Sequence, residues 1–317
     1  MFKNYQYFLI LVEEMNISKA ASRLFITHQN LSKYLSNLET ELGVILFNRK
    51  PVFSLTIAGR ILYDSFRQTE LLEQNVLSQY TDLREDKIGE IRIGTTEGRF
   101  RIIIPDIISQ FKEKYPQIHL KVESTSSIEM RKQIKENKLD FAISNIPANK
   151  DPALKYHEVL EENIYLVISD HMLQQYLGKD WLKLKKELHK GADLRLFTEV
   201  PFALNQTYFN SHILIERHLS KLGVKLNCIH TSNHPDLHHM MSARDYVASF
   251  CLTMYLKPLQ KLIRESENVL NVFPLKNFTA RNHIGISYVK NRSFSAPAKD
   301  LIKIVKKKCE SFTQYDL

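Results

Sequence analysis

A run of leucines between two helix-boundary signals constrains the N-terminal part of the chain most strongly. Thr27 precedes the run, and its side-chain oxygen is suited to accept from a free N–H of a first helical turn. Gly43 follows it, at a position where helices commonly end in a left-handed conformation. The apolar residues between them recur every three or four positions, as one face of a helix requires: Leu31, Leu35, Leu38 and Leu42. The pattern therefore predicts an amphipathic helix after Thr27.

Two shorter helices are predicted ahead of this one. The first has apolar residues at positions i, i+3, i+4 and i+7, namely Tyr5, Phe8, Leu9 and Val12. Asn16 is suited to cap the second, in which Ala20 and Ala21 allow another helix to approach closely. A short helix, a tight turn and a following helix present that last helix to the major groove of DNA.

The polar side of the third helix supplies our candidates for contact with DNA. Amides and lysine read base edges or hold phosphates. The candidates are Thr27, His28, Gln29, Asn30, Ser32, Lys33, Tyr34 and Asn37. The alternative is that this side, including Asn30 and Lys33, is only a solvated face.

The segment after the third helix predicts a β-hairpin over 46–56 with Arg49 and Lys50 at its tip. A basic hairpin tip beside a recognition helix is a wing, suited to contact with the DNA backbone or minor groove. Arg49 is either a phosphate ligand or an anchor that holds the wing in place, and the sequence leaves both open.

The same residues resemble the signature of the LysR-type transcriptional regulators. The matching runs are NISKAASRL at 16–24, SKYLSNLETELGVILFNR at 32–49 and LTIAG at 55–59. The resemblance implies a mostly α-helical winged helix-turn-helix domain over 1–58 that binds double-stranded operator or promoter DNA. It also implies RNA polymerase as a partner if the protein activates transcription.

A long helix is predicted over 56–86, capped by Thr56 and followed by a break at 87–89. A heptad-like seam follows steps of four and three residues: Leu62, Phe66, Thr69, Glu73, Val76, Tyr80 and Leu83. One reading is a helix that lies on its own domain. The resemblance implies the other, a linker helix over 59–89 that pairs with a second copy, giving a homodimer or, as a dimer of dimers, a homotetramer.

From Glu90 onward, strand-like and helix-like segments alternate, which predicts an α/β domain with a largely parallel sheet over 90–317. The resemblance implies a periplasmic-binding-protein-like fold of two α/β lobes separated by a cleft. We expect lobe one at 90–161 and 270–317, and lobe two at 162–269.

The resemblance also implies that a small-molecule effector binds where strand ends face the cleft. The expected contacts are Thr95, Thr96, Arg99, Ser126, Ser127, Asn205 and Gln206. Hydroxyls, amides and helix N-termini suit an organic anion, with Arg99 and Arg101 as counter-charges. Each Ser or Thr is alternatively an ordinary helix cap. A rival function is a DNA-binding regulator whose C-terminal domain serves oligomerisation only, without a ligand.

Composition excludes several other classes. The net charge of +9 favours an anionic partner. With only 9 glycines, no P-loop and no G-x-S-x-G motif, we expect no enzyme. No apolar run is long enough to span a bilayer, and the first residues predict a helix rather than a signal peptide. Three widely spaced cysteines fit a reducing cytoplasm, where we expect the protein.

A metal or other cofactor is not expected. His234 and His238 are one helical turn apart if their segment is helical, and His239 follows directly. Asp236 is near, but no cysteine or acidic cluster completes a tetrahedral ligand set. We interpret these histidines as solvated or capping residues.

Overall fold

The computed structural model of the chain describes residues 4–50, 52–83 and 89–314. The predicted helix end at 84–86 and the predicted break at Lys87 and Ile88 lie outside these residues. The N-terminal elements are α1 (Tyr5–Glu14), α2 (Ile17–Arg23), α3 (His28–Leu42), β1 (Phe47–Asn48), β2 (Ser54–Leu55) and α4 (Ile57–Leu83). Strands β1 and β2 pair antiparallel and form the wing.

The predicted caps fix where the N-terminal helices begin and end. Asn16 Oδ1 accepts from the backbone N of Lys19 at 3.0 Å, at the start of α2. Thr27 Oγ1 accepts from the backbone N of Asn30 at 3.2 Å, at the start of α3. Gly43 ends α3 with a φ of 67°. Because each cap satisfies a backbone group that the helix leaves unpaired, these local signals suffice to place the helices.

Beyond the expected boundary between residues 58 and 59, the first turns of α4 also pack in the core of the N-terminal domain. Leu62, Tyr63 and Phe66 are buried there, in one cluster with Phe8 and Phe47. The Phe66 ring is 5.6 Å from that of Phe8. The domain and the long helix therefore form one packed unit.

The predicted seam is correspondingly wrong over its first half. Leu62 and Phe66 pack inside their own chain, and Glu73 accepts a 2.6 Å hydrogen bond from the Tyr5 hydroxyl. Val76 and Tyr80 are exposed, while the side chain of Leu83 lies outside the described part. The exposed apolar stripe on α4 consists of Ile57, Ile61, Leu72, Val76 and Tyr80.

The α/β domain follows. In chain order its elements are β3 (Gly89–Thr95), α5 (Glu97–Lys114), β4 (Ile118–Ser124), α6 (Ser127–Lys135), β5 (Phe141–Asn145), β6 (Leu154–Glu162), β7 (Ile164–Ser169), α7 (Asp170–Leu177), α8 (Trp181–Leu188), β8 (Pro201–Asn205), α9 (Asn210–Leu222), β9 (Asn227–Ser232), α10 (Pro235–Ser242), β10 (Ser249–Leu252), α11 (Leu256–Glu265), β11 (Leu270–Pro274), β12 (Asn282–Val289) and α12 (Ala296–Glu310).

The strands form two lobes, and their sheets are mixed rather than largely parallel as predicted. Lobe one has the order β4-β3-β5-β12-β6, in which β4, β3 and β5 run parallel while β12 is antiparallel to both its neighbours. Lobe two has an antiparallel set, β10-β7-β11, and a parallel pair, β8-β9. Strand β12 runs the opposite way because the chain enters it on its return from lobe two.

The predicted return point of the chain to lobe one is also wrong. Strand β11 pairs with β7 along its whole length, from Leu270 opposite Ser169 to Pro274 opposite Tyr165. Phe273 is fully buried among lobe-two residues. The segment 270–274 therefore belongs to lobe two, and the chain returns only at β12. The outward crossing lies between β6 and β7, so Glu162 belongs to lobe one rather than to lobe two.

Candidate nucleic-acid interface and effector cleft

One side of α3 is buried and the other is free. Leu31, Leu35 and Leu38 are at most 4% exposed. The exposed candidates are Thr27, His28, Gln29, Asn30, Lys33 and Asn37, while Ser32 is half-buried. The leucine stripe thus turns a continuous polar surface of amides, imidazole and ammonium away from the domain.

Tyr34 differs from the other candidates. Its ring packs edge-on against Tyr7 of α1, with 5.4 Å between the ring centres. Burial raises the pKa of its hydroxyl to about 12. Tyr34 is therefore half-buried at the edge of the domain core, as Ser32 is half-buried on α3. Its contact with DNA stays a prediction.

A carboxylate on α3 holds the wing beside the recognition helix. Glu39 Oε1 accepts from the backbone N of Leu46 at 2.8 Å, and its Oε2 lies 3.3 Å from Arg49 Nη2. The Arg49 side chain is still 59% exposed, and Lys50 is exposed beside it. Gly59 permits the close contact behind the wing, because a Cβ there would lie 2.2 Å from the Leu46 carbonyl oxygen.

Phe25 is an exposed aromatic residue at this surface that sequence reasoning missed. It lies in the turn between α2 and α3, with a φ of 55° and 96% of its surface exposed. A bulky residue rarely adopts this left-handed conformation. The available signal was an aromatic residue outside the apolar periodicity of both helices.

A cleft of about 510 Å³ lies between the two lobes. Its lining includes Thr96, Arg99, Ser126, Ser127 and Asn205, five of the residues expected from the sequence. They come from the carboxyl ends of strands in both lobes, which is where ligands bind in open α/β sheets.

Two expected residues lie elsewhere. Thr95 is fully buried as the last residue of β3, because strand alternation turns its side chain into lobe one. Gln206 follows Asn205, but its side chain does not line the cleft. Both assignments to the lining are corrected.

Arg99 is held at the cleft floor by partners on other segments. Its Nη1 donates to Thr96 Oγ1 at 2.9 Å and to Asn145 Oδ1 at 3.0 Å, and its Nη2 lies 3.4 Å from Glu162 Oε2. The guanidinium is 6% exposed and the carboxylate 0% exposed. Arg99 Nε is buried and has no partner among the described residues.

Glu162 completes this floor, although nothing in its sequence context singled it out. Burial raises the pKa of its carboxyl group, and the nearby charge of Arg99 acts in the opposite direction. The carboxylate accepts from Asn282 Nδ2 at 2.7 Å and from the backbone N of Met254 at 3.3 Å. Asn282 in turn accepts from Asn210 Nδ2 at 2.6 Å. Glu162 and Asn282 lie at the two points where the chain crosses between the lobes, so the network ties the lobes together.

Helix N-termini from both lobes open onto the cleft. Lining residues include Glu97 of α5, Ser127 of α6, Asn210 of α9 and Pro235 of α10, each in a first turn. Unpaired N–H groups and the helix dipole favour negative charge at such positions.

Arg101 is not the counter-charge expected from the sequence. Its side chain is 53% exposed and pairs with Asp236 of α10 at 2.8 Å and with Glu97 at 3.2 Å. It is absent from the described lining and instead links α5 of lobe one to α10 of lobe two.

The three histidines expected to be solvated or capping have distinct places. His234 precedes α10 as its N-cap residue. His238 Nε2 lies 2.8 Å from Ser232 Oγ, and His239 Nε2 lies 3.3 Å from the Phe250 carbonyl oxygen. Burial lowers the pKa of both to about 4. His238 and His239 are therefore buried residues, which corrects the interpretation of them as solvated.

Comparison with known proteins follows the same division of the chain. Residues 2–60 match the bacterial regulatory helix-turn-helix protein, lysR family, and residues 84–310 match the LysR substrate binding domain. The HTH-type transcriptional regulator YtlI of Bacillus subtilis (strain 168) is 26% identical over 310 residues, covering 95% of this chain and 92% of that protein.

Two solved structures share the fold. ArgP from Mycobacterium tuberculosis has a TM-score of 0.66 at 16% identity, over 96% of this chain and 95% of that one. A full-length OxyR variant from Pseudomonas aeruginosa has a TM-score of 0.63 at 17% identity, over 98% of this chain and 97% of that one.

In the described ranges, no helix combines the length and apolarity needed to cross a membrane.

A winged helix-turn-helix joined by a long helix to a two-lobed domain with a cleft defines a DNA-binding transcriptional regulator with an effector-binding domain. The chain belongs to the LysR family of these regulators, as both family matches show.

Proposed function

We propose that the exposed side of α3 reads the operator in the major groove. The base and phosphate contacts come from His28, Gln29, Asn30, Lys33 and Asn37. Thr27 and Ser32 lie beside them, next to the DNA backbone. The one-sided exposure of α3 carries this proposal, because the opposite side is fully used in packing.

The residues flanking α3 extend the same surface. Arg49 keeps more than half of its side chain exposed despite its ion pair with Glu39, so it serves both as wing anchor and as phosphate ligand. Lys50 adds a second cation at the tip, and Phe25 packs against the DNA backbone at the other end of α3.

A homodimer, or a homotetramer formed as a dimer of dimers, is the form proposed to bind DNA. The exposed stripe on α4 supplies the contact, because five apolar side chains on one helix face are poorly accommodated in water. A two-fold dimer matches a palindromic or near-palindromic site. RNA polymerase is a further partner if the protein activates transcription.

The effector proposed for the cleft is a small organic anion. Helix N-termini and the guanidinium groups of Arg131 and Arg99 favour negative charge in this space. The size of the cleft, and the few polar groups that converge on it from both lobes, argue against the rival in which the C-terminal domain serves oligomerisation only.

Substitution of the α3 surface tests the DNA part of the proposal. Asn30→Ala and Lys33→Ala should each weaken binding to a duplex from the region upstream of the gene by roughly tenfold, because a base contact contributes about 1–3 kcal/mol. The melting temperature should hardly change, since both side chains are exposed.

Lys183→Ala is the matched control, because it removes an exposed lysine from α8 in lobe two. Fluorescence anisotropy at several salt concentrations measures the affinities, and wild-type binding should fall steeply with salt. Full binding by the Asn30→Ala/Lys33→Ala double variant, or binding insensitive to salt, would refute the assignment.

A further inference from the structure

One polar face of α4 rests against lobe one of the same chain. The residues on this face follow the spacing i, i+3, i+7 and i+8, so they lie on one side of the helix: Arg67, Glu70, Gln74 and Asn75. Each contacts either the turn between α6 and β5 or the turn between β12 and α12. We call these contacts the interdomain latch.

The first half of the latch is centred on Arg67, whose side chain is 8% exposed. Arg67 Nη2 lies 2.7 Å from Glu13 Oε1 of α1, and Nη1 lies 2.8 Å from Glu70 Oε2. Asn137 Nδ2, just after α6, donates to the Arg67 carbonyl oxygen at 3.0 Å and to Glu70 Oε2 at 3.1 Å. Lys138 Nζ lies 3.5 Å from Glu13 Oε1. The residues after α6 therefore hold both α4 and α1.

The second half of the latch uses the turn before α12. Arg292 Nη1 donates to Gln74 Oε1 at 3.1 Å, and the backbone N of Ser293 donates to Asn75 Oδ1 at 2.8 Å. Asn75 Nδ2 donates back to the Asn291 carbonyl oxygen at 3.1 Å. The linker helix is thereby fixed at two places on lobe one.

Helix α6 connects the latch to the effector cleft. Its first turns line the cleft through Ser127, Ile128 and Arg131, and Asn137 lies just beyond its last residue. Nine helical residues span about 13 Å, so the helix separates the two places by about that distance. The cleft and the latch thus lie at opposite ends of one short element.

The packing of α6 suits it to move as a rigid body. Met130 and Ile134 on its inner face are fully buried. Gly94 of β3 permits this close packing, because a Cβ there would lie 2.6 Å from Leu139 Cδ1 and 3.1 Å from Met130 Cγ. Closely packed interiors have little free volume, so a displacement at one end reaches the other.

We propose that α6 transmits occupancy of the cleft to the DNA-binding unit through the interdomain latch. A ligand at the first turn of α6 shifts the helix, and Asn137 then changes its hold on Arg67 and Glu70. The linker helix and the attached winged domain respond with a new orientation. This inference rests on the proposed effector cleft, and by linkage a change at the latch must also alter the cleft end.

Hydrogen–deuterium exchange on the ligand-free full chain tests this coupling from both ends. Ser126→Ala removes the cap of α6, whose Oγ accepts from the backbone N of Glu129 at 3.2 Å. Asn137→Gly removes the latch amide but keeps a residue that tolerates the native φ of 54°. Ser126→Ala should speed exchange in α6 by roughly three- to tenfold, as loss of a cap predicts, and should also speed exchange over 67–75. Asn137→Gly should speed exchange over 67–75 and in the first turn of α6.

Matched controls separate coupling from local destabilisation. Ser169→Ala removes an equivalent 3.2 Å cap from α7 in lobe two, and Asn277→Gly replaces another left-handed asparagine, with a φ of 56°. Both should leave residues 67–75 unchanged. Asn137→Asp is a second latch variant, which replaces the donor by a carboxylate facing Glu70. Unchanged slow exchange in β5 reports that each variant is folded.

The proposal is overturned if Ser126→Ala alters only α6, or if both Asn137 variants leave the first turn of α6 unchanged. In either case the latch is a static anchor. Because the experiment contains neither DNA nor effector, its failure leaves the proposed function standing. Failure of operator binding or of ligand titration would in turn leave the exchange result standing.

Discussion

At the residue scale, two buried imidazoles make stability depend on pH. His238 and His239 are 2% and 4% exposed, and burial lowers the pKa of each to about 4, against 6.5 for a free side chain. Above pH 6.5 both states hold the rings neutral. As the pH falls from 6.5 to 4, the unfolded chain takes up protons that the folded chain does not, so stability is lost.

His239→Gln should flatten this dependence. The glutamine amide is able to donate to the Phe250 carbonyl as the ring does, but it does not titrate. We expect the wild-type free energy of unfolding to fall by up to about 3 kcal/mol per histidine between pH 6.5 and 4. In the variant, the contribution of His239 to this fall should be absent. Chemical denaturation at a series of pH values measures this.

His28→Gln serves as the control for the pH experiment, because it makes the same substitution at an exposed position of α3. It should retain the wild-type slope. An identical slope in wild type and His239→Gln would show that His239 is not held neutral in the folded state.

Prediction from the sequence works for residues whose role is local. Asn16, Thr27 and Gly43 act within a few residues of their own position, so their capping roles were readable and are confirmed. Tyr34 and Thr95 were assigned by the polarity of their side chains, but their orientation depends on α1 and on the lobe-one core. A single sequence does not reveal which distant elements a side chain will pack against.

At the scale of elements, α4 shows how one apolar periodicity serves two purposes. Its first turns are packed inside the N-terminal domain, while Val76 and Tyr80 further along are 49% and 58% exposed. A heptad pattern does not distinguish a partner in the same chain from a partner in another. The existence of the helix was predictable, but the identity of its neighbour was not.

Val76→Asp should therefore dissociate the proposed dimer without unfolding the chain. A charge in the middle of an apolar contact is strongly unfavourable, whereas at an exposed position of a monomer it costs little. Light scattering at micromolar concentration should give a dimer or tetramer for wild type and a monomer for the variant. Binding to operator DNA should weaken in parallel.

Two further substitutions control for unfolding and for charge. Phe66→Asp should destabilise the N-terminal domain by about 3–5 kcal/mol or more, because Phe66 is 1% exposed. Val269→Asp, at a 60% exposed valine of lobe two, should change neither the mass of the assembly nor the stability of the chain. A monomeric wild type, or a Val76→Asp variant of unchanged mass, would contradict the assembly.

For the sheets, the strands were predictable from the sequence but their pairing was not. The alternation of strands and helices was readable because each strand has its own local pattern. The antiparallel direction of β12 and the pairing of β11 with β7 depend on partners more than one hundred residues away. For this reason the alternation after Glu90 was foreseeable, while the mixed sheet and the late return to lobe one were not.

At the scale of the whole molecule, the cleft exists because the chain crosses twice between lobes. Glu162 and Asn282 stand at those crossings, 120 positions apart in sequence, and are joined by a 2.7 Å hydrogen bond. Thr96, Ser126 and Asn205 were predictable from the sequence because they lie at the ends of strands. Glu162 was not, since a glutamate in a charged strand gives no sign that it will be buried.

Binding of an organic anion should stabilise the whole chain, because a ligand between the lobes contacts only the folded state. At a ligand concentration of one hundred times Kd, the gain is about 2.7 kcal/mol. Calorimetric titration with a panel of mono-, di- and tricarboxylic acids, beside their uncharged amides, should give heat for the acids only. Thermal unfolding in the presence of each compound should show a raised melting temperature for the acids only.

Thr96→Val should weaken binding roughly tenfold, because Thr96 Oγ1 holds Arg99 Nη1 at 2.9 Å and lines the cleft. Thr198→Val, at a position outside the described lining, should bind as wild type does. Equal affinity of wild type and Thr96→Val would remove Thr96 from the site, and binding of amides alone would show that the helix N-termini do not select an anion.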